Sequence, residues 1–324
     1  MQYTRRTRVL IVNDDGFKSD NLRALAAALS KVADVFVFAP ETEQSGVSQA
    51  FTVRSPLRVT RVSAPVSREV ANHVSGDACN SAEPAYEVYS VSGTPADAAK
   101  FALGYFAGKT FANGSNDARC ADGENGSNGE NCSNGAALDI HGGPTFDVCF
   151  SGVNVGENSG VSSLYSGTVA GAREGALWGV PSIALSVSLG GESLMPEVLD
   201  FAKRIVAERL FDSIPKGTFW NVNFPKATGG AFKGYRATKM ALGMFTDHYD
   251  CKGAVAPAAS NGGESALDGL WQLDGEKLWE EQPADSDDYL LHQGYAVITP
   301  HRIDQTDVES LKKIKEMLAG GRGA

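Results

Sequence analysis

The feature that most constrains the fold is an apolar run that ends on an amide, two carboxylates and a glycine: Arg8-Val-Leu-Ile-Val-Asn-Asp-Asp-Gly16. Unbroken Val, Leu and Ile bounded by a turn signal predict a strand buried on both faces, as in parallel sheets. Ser19 then opens an amphipathic stretch in which Leu22, Leu25, Ala26, Leu29 and Val32 recur at helical spacing. Asp14 and Asp15 therefore fall where the first strand hands over to the first helix, at the carboxyl edge of the sheet. Open α/β folds place their ligands at that edge. Adjacent carboxylates repel each other there unless they share a cation. The competing reading gives Asp15-Gly16 conformational work alone, as a βα turn, and the segment by itself does not separate the two.

The rest of the chain continues the alternation. Strand-like runs at 10–13, 35–40, 86–91, 146–150, 182–187 and 219–224 are interleaved with helical patterns at 19–32, 94–107, 166–178 and 194–210. Two further β-rich pieces flank Pro56 between 51 and 62. Such a pattern predicts an α/β fold, a Rossmann-like three-layer αβα sandwich around a mostly parallel sheet. We expect this catalytic domain to span 1–225. From 226 to 324 short β-like pieces surround a Gly/Ala/Ser-rich loop, and a strand at 295–300 and a helix at 306–318 close the chain. This stretch is expected to be a smaller β-rich appendage or oligomerisation arm. Two polar segments read as insertions, 65–84 and 113–143; the second, dense in Gly, Asn, Ser and Asp, is expected to be a surface loop. Its three Asn-x-Ser sequons, at Asn113, Asn125 and Asn131, reflect that composition.

Composition removes several function classes. A formal net charge of −10 argues against a nucleic-acid duplex as partner, which needs clustered Lys and Arg. No apolar stretch reaches the ~18–20 residues of a membrane span, so no membrane partner is expected. The basic start, Met1 to Arg8, lacks a signal-peptide core and cleavage site, which makes a cytoplasmic location the expectation. Five cysteines, scattered and without Cys-x-x-Cys, form neither a disulfide framework nor a zinc site; Cys149, in an apolar run, is expected to be a buried thiol.

Three more loops follow strands and carry oxygen donors: Ala39-Pro-Glu-Thr-Glu-Gln-Ser45-Gly46, Ser151-Gly-Val-Asn154-Val-Gly-Glu-Asn158 and Tyr165-Ser166-Gly167-Thr168. In a parallel sheet all strand C-termini share one edge, so these loops converge on Asp14 and Asp15. Two carboxylates, a hydroxyl and an amide carbonyl form an all-oxygen set, which hard ions such as Mg²⁺, Mn²⁺ or Ca²⁺ prefer. Each loop also has a plainer reading. Ser45-Gly46 is a common turn pair, Asn154 between glycines suits a left-handed backbone, and Ser166 is first a helix N-cap. A helix N-terminus is at the same time an anion site.

Taken in order, Val12-Asn-Asp-Asp-Gly16, Ala39-Pro-x₄-Ser45-Gly-x-Ser48, Ser92-Gly-Thr-Pro-Ala-Asp97, Ser151-Gly-Val-Asn-x-Gly-x-Asn158 and Tyr165-Ser-Gly-Thr-Val-Ala-Gly-Ala-Arg-Glu174 resemble the survival protein SurE family. Its members are metal-dependent nucleoside-monophosphate phosphatases. Asn221-Val-Asn-Phe-Pro225 and Gly294-Tyr-Ala-Val-Ile-Thr-Pro300 extend the resemblance over nearly the whole chain outside the insertions. The resemblance implies metal ligands at Asp14, Asp15, Ser45 and Asn154 for one divalent ion per subunit, Mg²⁺ or Mn²⁺. It implies phosphate or substrate contacts at Asn158, Ser166, Gly167 and Thr168. The activity implied is hydrolysis of nucleoside 5′- and 3′-monophosphates, with short polyphosphate as a further substrate, in a homodimer or homotetramer. Helix N–H groups at Ser166 to Thr168 are expected to take up phosphoryl charge. Either Asp14 or Asp15 is expected to act catalytically by orienting or deprotonating the attacking water; the sequence leaves open which. No histidine falls in a matched motif. Ala98 stands where many members carry Cys, a matter of helix packing. The 113–143 insertion leads into the strand before Asn154, which leaves substrate preference open.

A nucleotide sensor could use the same helix N-terminus, but it has no need of a complete metal-ligand set. Aspartyl-phosphate phosphatases present Asp-x-Asp after the first strand, whereas these two carboxylates are adjacent.

Overall fold

A computed structural model describes residues 5–62, 86–108, 146–226, 232–243, 245–253 and 269–320. Both expected insertions, three of the cysteines (Cys79, Cys120 and Cys132) and the loop at 254–268 lie outside these residues. Eleven strands are described: β1 (Arg8–Val12), β2 (Asp34–Pro40), β3 (Val59–Val62), β4 (Tyr86–Val91), β5 (Val148–Val155), β6 (Ser182–Val187), β7 (Thr218–Phe224), β8 (Tyr235–Ala237), β9 (His248–Gly253), β10 (Leu270–Asp274) and β11 (Ala296–Arg302). The helices are α1 (Asp20–Ser30), α2 (Pro95–Phe101), α3 (Ser162–Tyr165), α4 (Gly167–Leu177), α5 (Met195–Ala207), α6 (Asp287–His292) and α7 (Val308–Gly320).

Nine strands form one sheet in the order β3-β4-β2-β1-β5-β6-β7-β11-β8. The six from β4 to β7 in that order are parallel, and β3 and β11 run antiparallel to their inner neighbours. Strand pleating explains the two cores. Val9 and Ile11 turn to the face covered by α1 and α5, with Leu22, Leu25, Val198 and Ile205. Leu10 and Val12 turn to the other face, with Phe38, Val91, Ala98 and Leu103. Helix α4 also packs on that second side, against α2, β5 and β6. The expected three-layer αβα sandwich is what forms. Cys149 is fully buried, and burial pushes its thiol up to about 12, so it is inert at neutral pH.

Two details depart from expectation. Of the β-rich pieces around Pro56, 59–62 alone becomes a strand. The tail from 226 is also not wholly an appendage: β11 pairs with β7 over six residues and β8 pairs with β11, so the expected boundary after 225 falls inside one sheet. Ala296 and Val297 are fully buried, which makes β11 core rather than arm. Only β9 and β10 stand apart, as an antiparallel hairpin. No described helix is long and apolar enough to cross a membrane.

Candidate metal and phosphate site

Asp14 and Asp15 follow β1 in a tight turn. Gly16, at φ +92°, supplies the left-handed backbone, and the Asn13 Nδ2 donates to the Gly16 carbonyl at 3.0 Å. Across the sheet edge, α4 begins at Ser166, whose hydroxyl accepts from the Val169 N–H at 3.1 Å as an N-cap. The two segments are locked together. The Thr168 hydroxyl donates to Asp14 Oδ1 at 2.5 Å and the Thr168 N–H donates to Oδ2 at 3.0 Å. A carboxylate at a helix N-terminus is favourably placed against the dipole. Such closeness requires Gly167: a Cβ there would sit 2.8 Å from the Asp14 Cβ. Farther along α4, a Cβ at Gly171 would meet the Ser151 hydroxyl and Val12, so small residues seat the whole helix on β1 and β5.

The Ser45 loop is tied over this junction. The Gln44 N–H donates to the Asp14 carbonyl at 2.7 Å, and the Ser48 N–H and hydroxyl donate to the carbonyls of Tyr165 and Leu164. Gln49 donates to the buried Glu174 of α4, while the Thr52 N–H and hydroxyl donate to Asp97, which caps α2 together with Thr94. Ser45 itself is exposed and donates to Glu43 at 2.6 Å. Asn154 ends β5, half-buried, with its Nδ2 on the Gly156 carbonyl at 2.8 Å.

Beyond it Asn158 is buried in a cradle of side chains from β6 and β7. Its N–H donates to Asn223 Oδ1 at 2.7 Å, its carbonyl accepts from Asn221 Nδ2 at 2.8 Å, and its own Nδ2 donates to the Ser186 hydroxyl at 2.9 Å. The Asn221-Val-Asn223 pair thus shapes the loop that carries Asn158.

Electrostatics make the site unusual. Burial raises the pKa of Asp14, with Glu43 adding repulsion against the bonds from Thr168. Asp15 rises to about 6, from burial first and then from Asp14 and Glu43. Asp14, Asp15 and Glu43 repel one another, charge that a cation would neutralise, and the side chains of Asp14, Asp15, Ser45 and Asn154 all offer oxygen. The residues present therefore fit a hard divalent ion. Glu43 is a contributor that sequence reasoning passed over, although it lies inside the quoted loop.

One expectation about the helix is corrected. The Ser166 N–H bonds to the Ser162 carbonyl and the Thr168 N–H to Asp14, so both are spent inside the protein. Of the three, the Gly167 N–H alone has no partner among the described residues.

Fold and site together define an α/β protein with a carboxylate cluster at the C-terminal edge of a parallel sheet, set against a helix N-terminus. Residues 9–129 and 126–247 match the family described as Survival protein SurE. Curated relatives named 5′-nucleotidase SurE include one from Protochlamydia amoebophila, 32% identical over 316 residues and covering 96% of this chain and 95% of its own. Another, from Thermosipho africanus, is 31% identical over 314 residues, covering 95% and 96%. The crystal structure of Sure protein from Aquifex aeolicus superposes with a TM-score of 0.63 at 24% identity, covering 96% of this chain and 99% of that one, a likeness of fold. The chain belongs to the SurE survival protein family.

The Asp14–Gly167 contact yields a test whose sign is diagnostic. Gly→Ala inside a helix ordinarily stabilises by roughly 0.5–1 kcal/mol. Here Gly167→Ala is expected to lower the melting temperature, because the new methyl displaces Asp14, and to weaken Mn²⁺ binding measured by calorimetry. A stabilised variant with parent-like metal affinity would remove the close approach from the account.

Proposed function

We propose that this chain is a metal-dependent phosphomonoesterase that hydrolyses nucleoside 5′- and 3′-monophosphates to nucleoside and inorganic phosphate, and short polyphosphate as well. The observation that carries the reading is the pair of adjacent carboxylates at the end of β1, with Asp14 held by Thr168 against the first turn of α4. The names of the curated relatives supply the substrate class. Asp14, Asp15, Ser45 and Asn154 would hold one Mg²⁺ or Mn²⁺, which when bound supplies Lewis-acid neutralisation of phosphoryl charge.

The side chains divide the remaining work. Both oxygens of Asp14 accept from Thr168, which fixes that carboxylate in place. Asp15 accepts no hydrogen bond among the described residues, so we assign to it the orientation of the attacking water and receipt of its proton. The phosphoryl oxygens are bound by the Gly167 N–H at the positive end of α4 and by Asn158, whose Nδ2 carries a second hydrogen. The Ser166 hydroxyl, which accepts in the cap and keeps its own hydrogen to donate, completes this rim. The expected phosphate contact from Thr168 is corrected, because its one hydroxyl hydrogen is spent on Asp14 Oδ1 and the residue acts by holding that carboxylate. Assembly as a homodimer or homotetramer belongs to the same reading. Helix α7 exposes Val308, Leu311, Ile314 and Leu318 at three- to four-residue spacing, and the β9–β10 hairpin exposes Tyr249, Leu270 and Leu273. Sedimentation equilibrium at micromolar protein is expected to return two or four chains, and a monomer would overturn this part.

The activity is tested by phosphate release from adenosine monophosphate. Turnover should vanish in excess chelator and return with Mn²⁺ or Mg²⁺; full turnover in a preparation free of metal by elemental analysis would end the metal mechanism. Asp15→Asn should lose most of the activity and most of the thermal stabilisation that Mn²⁺ gives the parent. The metal-free pH dependence has a definite sign. Folded Asp15 keeps its proton to about 6, whereas the unfolded chain releases it near 3.8, the ordinary value for an aspartate. Ionised Asp15 therefore costs stability that is fully expressed above pH 6, declines as the pH falls from 6 to 3.8, and is absent below. In chelator, Asp15→Asn should melt at or above the parent temperature at pH 7 and with the parent at pH 3.5. Near-parent turnover in Asp15→Asn would make Asp15 a turn residue.

A further inference from the structure

Beside Asn158 the chain is gripped a second time, from a segment some hundred residues away. Lys277 and Asp288 form an ion pair at 2.6 Å whose side chains are only 8% and 1% exposed. The Lys277 ammonium also donates to the Ser159 carbonyl at 2.9 Å, and the Ser159 hydroxyl donates to Asp288 Oδ1 at 2.6 Å. Next door, Asp287 Oδ2 accepts from the Gly160 N–H at 2.9 Å, while its Oδ1 accepts from the N–H groups of Ala241 and Asp288. Gly160, at φ +55°, leaves no room for a Cβ, which would run into the Asp288 carboxylate.

A buried ion pair is a poor way to gain stability, because desolvation offsets most of the Coulomb attraction. What this pair does achieve is geometric. Ser159 is bonded through both its carbonyl and its hydroxyl, one residue from Asn158. The Asn221–Asn223–Ser186 cradle holds that residue from the sheet side, and Lys277 with Asp288 holds the following one from the tail side. We propose that Lys277 and Asp288 are positioning residues for the substrate's phosphate: through Ser159 they fix the loop at 156–161, so that Asn158 meets the phosphoryl oxygens preorganised. The link to phosphate rests on the function proposed above; the clamp on the loop does not.

The experiment uses the full-length, Mn²⁺-loaded protein with Lys277→Met, Lys277→Arg and the double variant Lys277→Met/Asp288→Asn. The double variant leaves no bare buried charge and so guards against simple misfolding. Hydrogen exchange followed by mass spectrometry should show faster exchange in peptides covering 156–161 for both Met variants, with peptides of β1 and α4 unchanged. For adenosine monophosphate, KM should rise by about tenfold while kcat stays within about threefold, since an interaction made equally with substrate and transition state is lost. Lys277→Arg should recover most of the affinity. A merely structural role would lower the melting temperature and kcat, through the active fraction, and leave KM alone.

Unchanged exchange at 156–161 overturns the clamp whatever the kinetics. Faster exchange with parent-like KM in an active enzyme overturns its role in phosphate binding. Absence of phosphate release from the parent is a failure of the proposed function instead, and the exchange comparison still decides the clamp.

Discussion

The site depends on one contact, the pair of hydrogen bonds that Thr168 donates to Asp14. It joins the end of the central strand to the start of a helix more than 150 residues later, and it sets the spacing of everything nearby. To reach it, α4 has to lie unusually close to the sheet, which explains a helix built from Gly167, Ala170, Gly171, Ala172 and Gly175 rather than from large apolar residues. Such a helix gives up intrinsic propensity and is held instead by tertiary contacts. Ser166 caps it, Glu174 receives Gln49 and Lys100, and its first turn faces a carboxylate. Asp14 is thereby fixed, whereas Asp15 accepts no hydrogen bond among the described residues, and the different work proposed for these adjacent carboxylates rests on that difference.

Strand order then gathers the remaining groups. Because β1, β5, β6 and β7 are consecutive and parallel, Asp14, Asn154, Ser186 and the Asn221–Asn223 pair all arrive toward one edge. The Asn158 loop lies across that edge, with its backbone groups satisfied by buried amides in place of water. From the other side the C-terminal segment closes on the same loop through Asp287, Asp288 and Lys277. The tail is thus part of the site's architecture as well as of the sheet.

Much of this was legible in the sequence, for identifiable reasons. Local periodicity revealed the α/β alternation, and the loops carrying Asp14, Ser45, Asn154 and Ser166 could be placed on one edge because parallel strands leave no other arrangement. Partners that depend on tertiary packing were hidden. Nothing local distinguishes the Thr168 N–H, spent on Asp14, from the Gly167 N–H. Glu43 is an exposed turn residue, and nothing local shows that its charge bears on the half-buried Asp15. Nothing local singles out Asp287 and Asp288, although both are buried and serve a loop more than 120 residues earlier. Strand character at 295–300 was readable, but hydrophobic pattern does not say which sheet a strand joins, so β11 was assigned to an appendage when it extends the main sheet.

The central claim is that the carboxylates at the end of β1 are a divalent-metal centre. Anomalous diffraction from crystals grown with Mn²⁺ addresses it directly. The account requires a peak at each chain's sheet edge, within about 2.4 Å of carboxylate oxygens of both Asp14 and Asp15. Density confined to another oxygen- and nitrogen-bearing cluster, such as His248, Asp250 and Asp274 on the β9–β10 hairpin, with none beside Asp14 and Asp15, would contradict it.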